Sequence, residues 1–355
     1  MGKKKALFMV CLLAVAFGLT ALVALFAEKK EESEGILCVT SFYPVQLLAE
    51  SVAEGADGVT VRNLTENHSG CIHDYTLTTQ DMRLLSEAEL FLINGGDMEL
   101  FLEKAASEYT DLTIVDTSEG FVFLEGVGHA HEHDGEEEEG HSEECTNPTH
   151  HHEEVSDAHE GHSHVLNAHL WMEIDGYLLQ LQRVEEAFVK ADPAQAELYR
   201  NNARICREEL AALKEMYAAA KKVLAGRETV VFHEGFVYLF NMLGVETVHC
   251  LAMDADTQIA AGEAAEIIEE CRLHGITVLF AEEEYVETVT DTFAGELGGM
   301  VVSLDPVTGT ESSGNTTAGD EASEHPQAGE KIGVAQYCAR MRRNLEKILE
   351  VYGVQ

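Results

Sequence analysis

The sequence predicts an α/β protein of two lobes, each with a parallel sheet flanked by helices, joined by a long rigid backbone helix. Short apolar runs alternate with amphipathic helical runs over residues 36–116 and again over residues 228–305. Such alternation indicates parallel strands connected by helices that cover both faces of a sheet. Between the two stretches, residues 193–224 carry apolar side chains at helical spacing, enough for a helix of about 48 Å that runs along both lobes.

The first alternating stretch predicts four strands with helices between them. The helices are predicted to end at Gly55, to cover residues 79–86, and to run from Asp97 to about Ser107. The strands are predicted at residues 36–42, 59–64, 90–94 and 112–116. In sheets of this type ligands bind beyond the carboxyl ends of the strands, so the loops that follow the strands are the expected binding positions.

The second alternating stretch repeats this architecture. Its strands are predicted at residues 228–233, 245–250, 276–282 and 300–305, and its helices end at Met242 or cover residues 257–274 and 286–297. A polar loop over residues 306–330 and a helix over residues 332–352 follow. The predicted division is an N-terminal lobe (36–172), a linking helical segment (173–226) and a C-terminal lobe (227–355).

The first 35 residues are predicted to direct the chain out of the cytoplasm. Lys3, Lys4 and Lys5 precede an uncharged run over residues 6–27, which is the order of a segment that enters the export machinery. The run is long enough to span a bilayer, and Leu25 stands where a cleavage site prefers a small residue. A cleaved signal peptide and an uncleaved membrane anchor both stay open, and either one predicts a location in the periplasm or at the cell surface.

Composition restricts the partners and the chemistry. With 23 basic and 64 acidic side chains, the formal net charge of −41 argues against nucleic acid and anionic membranes as partners and favours cations, unless the acidity serves only to keep a secreted protein soluble. The eight cysteines follow no regular spacing and include no CxxC, so neither a disulfide framework nor a zinc ribbon is expected. The sequence also contains no HExxH, no GxSxG and no phosphate-binding glycine loop, so it does not indicate an enzyme.

A tract from Glu125 to His164 has a different composition from the rest of the chain. It holds ten histidines and thirteen acidic residues among very few apolar ones, so it has no core to offset the entropy of ordering and is predicted to be a disordered loop. Dense imidazoles and carboxylates predict weak, exchangeable metal sites. The histidines concerned are His129, His131, His133, His141, His150, His151, His152, His159, His162 and His164.

Four short stretches, far apart in sequence, place potential metal ligands close to predicted strand ends. They are GCIHDY with His73, AHLWME with His169, VVFHEGF with His233, and VVSLDP with Asp305. Three imidazoles and one carboxylate suit zinc, which takes four ligands from nitrogen, sulfur and oxygen donors. No single stretch establishes a site, because an isolated histidine is more often a surface or hydrogen-bonded residue.

Longer segments of the chain resemble a known family, the zinc- and manganese-binding solute receptors that serve metal importers of the ATP-binding-cassette (ABC) type. The segments are HDYTLTTQDMRLLSEAELFLINGGDMELFLEK, HLWMEI, DPAQAELYRNNA, FHEGFVYLFNMLGVE and SLDP, in the family's order. The match covers Ile36 to Tyr352. The histidine-rich insert before HLW is typical of zinc-specific members.

The resemblance implies a set of metal ligands: His73, His169, His233 and Asp305. Manganese-preferring members commonly carry a carboxylate at the position of His233, so histidine there favours Zn²⁺ over Mn²⁺. One departure is Ile72, preceded by Cys71, where the family often has proline before the first histidine. Cys71 could supply a sulfur ligand or be a buried structural thiol. Glu282, near a strand end, could supply an auxiliary oxygen ligand or contact a ligand without binding the metal itself.

The resemblance also implies a function. The chain is expected to be a binding protein without catalysis, a monomer that captures zinc between its lobes and delivers it to the permease subunit of an ABC importer. Three alternatives stay open: a manganese receptor of the same family, an extracytoplasmic zinc buffer or adhesin without a transport role, and a metal-dependent hydrolase. The hydrolase applies only if Asp305 does not coordinate, because a catalytic zinc keeps an open position for water.

Overall fold

The computed structural model describes residues 35–66, 68, 72–73, 75–101, 109, 111–126, 166–251, 253, 259–309 and 333–354. Two four-stranded parallel sheets and one two-stranded antiparallel pair lie in this part of the chain. The predicted signal or anchor, Cys71 and the histidines of the Glu125–His164 tract lie outside the described residues. Within the described part, no helix is both long and apolar enough to span a bilayer.

The N-terminal sheet has the strand order β2-β1-β3-β4, with every neighbouring pair parallel. Its strands are β1 (Ile36–Thr40), β2 (Val59–Asn63), β3 (Leu90–Ile93) and β4 (Thr113–Asp116), and its helices are α1 (Tyr43–Ala53) and α2 (Thr79–Ser86). Proline in the first turn favours the start of α1. At the start of α2, the Thr78 and Asp81 side chains each bond the other's backbone N–H, which satisfies two donors that the helix leaves unpaired.

A middle segment connects the two sheets. The antiparallel pair β5 (Leu124–Glu125) and β6 (Leu166–Asn167) brings the two ends of the histidine-rich tract side by side. A short 3₁₀ turn, Leu170–Met172, leads into α3 (Ile174–Ala191). A second 3₁₀ turn, Pro193–Gln195, then leads into α4 (Ala196–Leu224), the longest helix in the described part of the chain.

The C-terminal sheet has the strand order β10-β9-β7-β8 and is also parallel. Its strands are β7 (Glu228–Val231), β8 (Glu246–Cys250), β9 (Val278–Glu282) and β10 (Met300–Leu304). Its helices are α5 (Gly235–Leu243), α6 (Ala261–His274), and α7 (Val286–Val289), which continues through a π-helical turn, Thr290–Ala294, into α8 (Gly295–Leu297). The last helix is α9 (Val334–Val351).

Alternating side chains of the strands divide the hydrophobic core into three parts. Cys38 of β1 and Val231 of β7 face one large central core that the two sheets share. Their neighbours Val39 and Val230 face smaller cores on the outer side of each sheet. This alternation follows from the strand period of two residues, which points successive side chains to opposite faces.

Long helices join the two lobes. Helix α4 packs against α1 of the N-terminal lobe and α5 of the C-terminal lobe, and α9 packs against α1 and against β10. The two-lobe α/β architecture with a long connecting helix is therefore confirmed, while the proposed domain limits stay predictions.

One predicted helix start is wrong. Asp97 has a left-handed backbone with φ of 63° and follows Gly95 and Gly96, which also have positive φ, so residues 97–101 form turns and irregular backbone instead of a helix. The rest of that predicted helix lies largely outside the described residues.

Candidate metal centre

The metal-ligand candidates lie at the carboxyl edges of the sheets, where parallel α/β folds bind ligands. His233 comes two residues after the end of β7, and Glu282 is the last residue of the neighbouring strand β9. The register pairs Val231 with Phe280, so His233 and Glu282 occupy equivalent positions two residues further along. The other two histidines come from the N-terminal side: His73 from the connection between β2 and α2, and His169 from the residues just after β6.

The three imidazole rings are adjacent. The ring centroids of His73 and His169 are 5.4 Å apart, and those of His169 and His233 are 4.7 Å apart. His169 and His233 are buried, with 2% and 4% of their surface exposed, and His73 is half-buried. The fold thus places His169 between one histidine from each lobe.

Asn167 orients the central ring. Its side-chain amide nitrogen donates to the carbonyl of Glu234 at 2.9 Å, so its amide oxygen faces His169, where it lies 2.9 Å from Nδ1. That oxygen can only accept a hydrogen bond, which assigns the proton of neutral His169 to Nδ1. Nε2 of His169 therefore carries the lone pair that a metal ion would use.

His233 is held by two contacts. Its Nδ1 accepts a hydrogen bond from the backbone N–H of Gly235 at 3.1 Å, which assigns the ring proton to Nε2. Nε2 in turn lies 3.1 Å from Oε1 of Glu282. Nε2–H therefore donates to the carboxyl group.

Burial keeps His169, His233 and Glu282 uncharged at neutral pH. Burial, with a contribution from His73, lowers the pKa of His233 to about 3, and burial, with Glu284 and Asp305, raises the pKa of Glu282 to about 8. The pKa of His169 is also held well below its usual value, mainly by burial and to a smaller extent by the nearby His233 and His73. The His233–Glu282 contact is therefore a hydrogen bond rather than an ion pair, and both buried rings are neutral, as metal coordination requires.

Asp305 is next to this cluster, but its carboxylate is bound elsewhere. Nε of Arg340 donates to Oδ2 at 2.6 Å, and a second guanidinium nitrogen donates to Oδ1 at 2.6 Å. The backbone N–H and carbonyl of Asp305 are both bonded to the side chain of Asn344, at 2.9 and 2.7 Å. The end of β10 is thus fixed to α9.

The structure brings His73, His169, His233 and Glu282 together, with Asp305 close enough for its charge to act on Glu282. Among the described residues, no three His, Cys, Asp or Glu side chains already have their donor atoms arranged to hold a metal ion. The three imidazole rings are adjacent, but Nε2 of His233 faces Glu282. Binding one metal ion by all three histidines therefore requires side chains to rotate.

Sequence reasoning missed two residues that shape this region. Asn167, which orients His169, stands two residues before it, a spacing at which a short polar side chain can reach its neighbour. Arg340 lies on the apolar face of α9 beside Tyr337 and Met341 and is 4% exposed. A charged residue within an apolar helical stripe was the available signal, because buried arginine requires a partner.

Comparison with known proteins identifies the family. The model of the ZnuA family, described as zinc-uptake complex component A, periplasmic, matches residues 38–351. The chain belongs to the ZnuA family. Membership confirms the resemblance seen in the sequence, and the family is one of metal-binding receptors, not of enzymes.

Relatives within the ZnuA family are distant in sequence. Zinc-binding protein AdcA of Streptococcus pyogenes is 26% identical over 314 residues, which are 86% of this chain and 56% of AdcA. The chain thus spans little more than half the length of that relative. The high-affinity zinc uptake system protein ZnuA of Bacillus subtilis is 26% identical over 273 residues, 76% of this chain and 78% of that protein.

A solved structure confirms the fold. The metal-dependent lipoprotein YcdH from Bacillus subtilis superposes with a TM-score of 0.66 at 21% identity, covering 89% of this chain and 99% of YcdH. At this identity the likeness concerns the fold.

Proposed function

We propose that this ZnuA-family chain is an extracytoplasmic receptor that captures Zn²⁺ between its two lobes and delivers it to the permease of an ABC importer. The observation that carries the proposal is the row of three adjacent imidazoles, with His73 and His233 on either side of His169. The rings come from both lobes, so an ion bound by all three would link the lobes to each other.

The donor set favours zinc. Three imidazole nitrogens and one carboxylate oxygen make a four-coordinate shell of the kind that zinc prefers, whereas manganese prefers oxygen ligands. The burial of His169 and His233 would remove the ion from water. The names of two relatives, a zinc-binding protein and a zinc uptake protein, agree with this choice.

Delivery to a permease is the part of the proposal that family membership supports. The matching model describes a component of a zinc-uptake complex with a periplasmic location, which supports a membrane permease as the partner and a location outside the cytoplasm. We propose that the chain acts as a monomer, since both lobes of one chain supply the three histidines.

Metal binding by the purified protein tests the proposal. His169→Ala should lose the tight zinc site in a calorimetric titration with zinc chloride, because it removes the central donor of the row. His274→Ala is the matched control: His274 is an exposed histidine paired with Glu228 on the surface, and its loss should leave the tight site unchanged. Competition with manganese chloride should show preference for zinc. Tight zinc binding by His169→Ala would contradict the proposal.

A further inference from the structure

Two cysteines lie on helices that pack against each other, away from the candidate metal centre. Cys206 belongs to α4 and Cys338 to α9. Both side chains are part of the central core, with 6% and 5% of the residue surface exposed, and both are free thiols in the structure. A disulfide bond between them requires that their side chains meet at the interface of the two helices.

The hydroxyl group of Ser51, on α1, connects Cys206 to the start of α9. It is hydrogen-bonded to the Cys206 thiol, and its oxygen accepts the backbone N–H of Val334 at 2.8 Å. Gly333 lies so close that a β-carbon there would overlap this oxygen. Cys338 follows Val334 by four residues, a spacing that places both on one face of a helix. Cys338 therefore lies on the face of α9 that is turned toward Cys206.

The two thiols also share neighbours. Burial raises the pKa of Cys206 to about 11 and that of Cys338 to about 12, and the carboxylate of Glu209 adds to both shifts. Cys206 raises the pKa of Cys338 further. After burial and Tyr337, both thiols also raise the pKa of the Tyr177 phenol. Groups that shift one another's pKa in this way are close neighbours.

The packing of two helices brings facing residues to the separation that a disulfide spans. Helix axes pack about 8–10 Å apart, and each Cα atom lies about 2.3 Å from its own axis. Facing Cα atoms are therefore roughly 4–6 Å apart, and the Cα atoms of bonded cysteines are usually about 4.4–6.8 Å apart. The bond needs rotation of the side chains and no rearrangement of the helices.

We propose that Cys206 and Cys338 form a disulfide bond that joins the long helix α4 to the last helix α9. The inference rests on the proposed function through the location outside the cytoplasm, where disulfides form and persist. It is a single bond, unlike the framework of several bonds that small secreted domains need. The bond closes a loop that contains the whole C-terminal sheet, and cross-links across long loops restrict the unfolded chain most strongly.

The bond forms by thiol–disulfide exchange with an external disulfide oxidant, for which oxidised glutathione is the probe. One cysteine thiolate attacks the oxidant and expels a reduced thiolate, which gives a mixed disulfide. The other cysteine thiolate then attacks the protein sulfur of the mixed disulfide and expels the second reduced thiolate. The two cysteines lose two electrons and two protons, which the two glutathione thiols carry away. Because burial disfavours the thiolates in the folded protein, the exchange takes place while the chain folds.

Oxidative refolding of the purified full chain tests the proposal. The chain is unfolded with reductant, refolded with oxidised and reduced glutathione, and alkylated with iodoacetamide in denaturant. Mass spectrometry of its proteolytic peptides should then show two peptides cross-linked through Cys206 and Cys338. If both cysteines are alkylated instead, or if either is linked to a different cysteine, the proposal is overturned.

Thermal unfolding with a chelator present separates a native bond from chance oxidation. A phosphine reductant should lower the melting temperature of the refolded wild type by several degrees, because it removes the constraint on the unfolded chain. The same reductant should leave the melting temperature of Cys206→Ala/Cys338→Ala unchanged. Cys271→Ala, which removes another buried thiol, is the matched control and should respond like the wild type. Equal shifts in the wild type and the double variant would overturn the proposal.

These results are independent of zinc binding, so the two proposals can fail separately. If His169→Ala loses the tight zinc site while Cys206 and Cys338 are both alkylated, the disulfide is overturned and the receptor function stands. If His169→Ala retains the tight site, the proposed function fails, and the cross-linked peptides still establish the bond.

Discussion

Asn167 determines which nitrogen of His169 can bind a metal ion. Replacing it by alanine removes the oxygen that holds Nδ1–H and one of the donors to the Glu234 carbonyl, which also accepts the backbone N–H of Val237. We expect zinc affinity to fall about 10–100-fold, the usual cost of losing a residue that orients a ligand histidine. Zinc titration of the purified variant measures this loss.

Asn202→Ala is the matched control for that experiment. Asn202 also donates to backbone carbonyls, of Val52 and Glu54, but it lies on α4, away from the histidines. Equal losses of zinc affinity in the two variants would show a general effect of destabilisation and would contradict the orienting role of Asn167.

Glu99 should make the metal-free protein less stable as the pH rises. Its carboxyl group is buried and accepts the backbone N–H groups of Asn94 and Gly95, at 2.7 and 3.1 Å. Burial raises its pKa from 4.5 to about 7, so the folded state binds the proton more tightly than the unfolded chain. The stabilisation is fully present below pH 4.5 and is lost as the pH approaches about 7, by roughly 3 kcal/mol.

Urea unfolding at several pH values, with a chelator present, measures this dependence. Glu99→Gln cannot titrate, so the free energy of unfolding should fall less steeply with pH than in the wild type. Glu246→Gln, at an exposed position on β8, should follow the wild type. If the free energy of unfolding depended on pH in the same way in Glu99→Gln and in the wild type, Glu99 would not be the source of that dependence.

The residues of the candidate site were only partly predictable from sequence. The three histidines are recognisable because each lies in a segment that resembles the family. The hydrogen-bond partners of each ring could not be predicted from the sequence. The amide oxygen of Asn167 faces His169 because the amide nitrogen donates to the carbonyl of Glu234, which is far along the chain. The Arg340 pairing with Asp305 likewise joins residues 35 positions apart, which no local pattern specifies.

At the scale of elements, local signals were reliable where the residue chemistry determines the backbone. Gly244 and Gly275 follow α5 and α6 in the left-handed conformation, as glycine after a helix predicts. The predicted helix at Asp97 failed because three consecutive residues with positive φ, from Gly95 to Asp97, turn the chain first. Its apolar spacing alone gave no indication of that turn.

The capping box of α2 should contribute measurably to stability. Thr78→Ala removes the side chain that accepts the N–H of Asp81 at 3.2 Å, and we expect the free energy of unfolding to fall by about 1 kcal/mol. Thr79→Ala is the control, since Thr79 is exposed and is the first residue of the helix. Equal stability of the two variants in urea unfolding would show that the cap contributes nothing.

At the scale of the whole molecule, the sequence indicated two lobes but not how closely they are joined. Apolar alternation predicted both sheets. The shared central core contains residues of α1, α3, α4 and α9 at once, for example Leu47, Leu181, Leu213 and Leu345. Such contacts depend on the relative position of elements that are distant in sequence, which periodicity does not determine.

Removing the histidine-rich tract should leave one tight zinc site intact. Glu125 pairs with Leu166 in the β5–β6 ladder, so a short glycine turn can replace residues 127–164 without separating the strands. Measured zinc stoichiometry should fall from several ions per chain to about one. Capture at low free zinc should slow while the affinity of the main site barely changes, since the tract acts by raising the local zinc concentration.

A variant that keeps the length of the tract but has glutamine at its ten histidines separates the imidazoles from the loop itself. It should match the deletion in stoichiometry. Loss of the tight site in either variant would mean that the tract supplies a ligand, contrary to the proposed shell.

Trp171 gives the molecule an optical property of practical use. It is the single tryptophan of the chain, it is completely buried, and its ring centroid lies 4.9 Å from that of His169. Its indole N–H donates to the carbonyl of Pro306 at 2.8 Å, and its own carbonyl accepts the hydroxyl of Tyr337 at 2.7 Å. Indole fluorescence therefore comes from one fixed point beside the central histidine, and its intensity should change on addition of zinc chloride in the wild type but not in His169→Ala, without any attached dye.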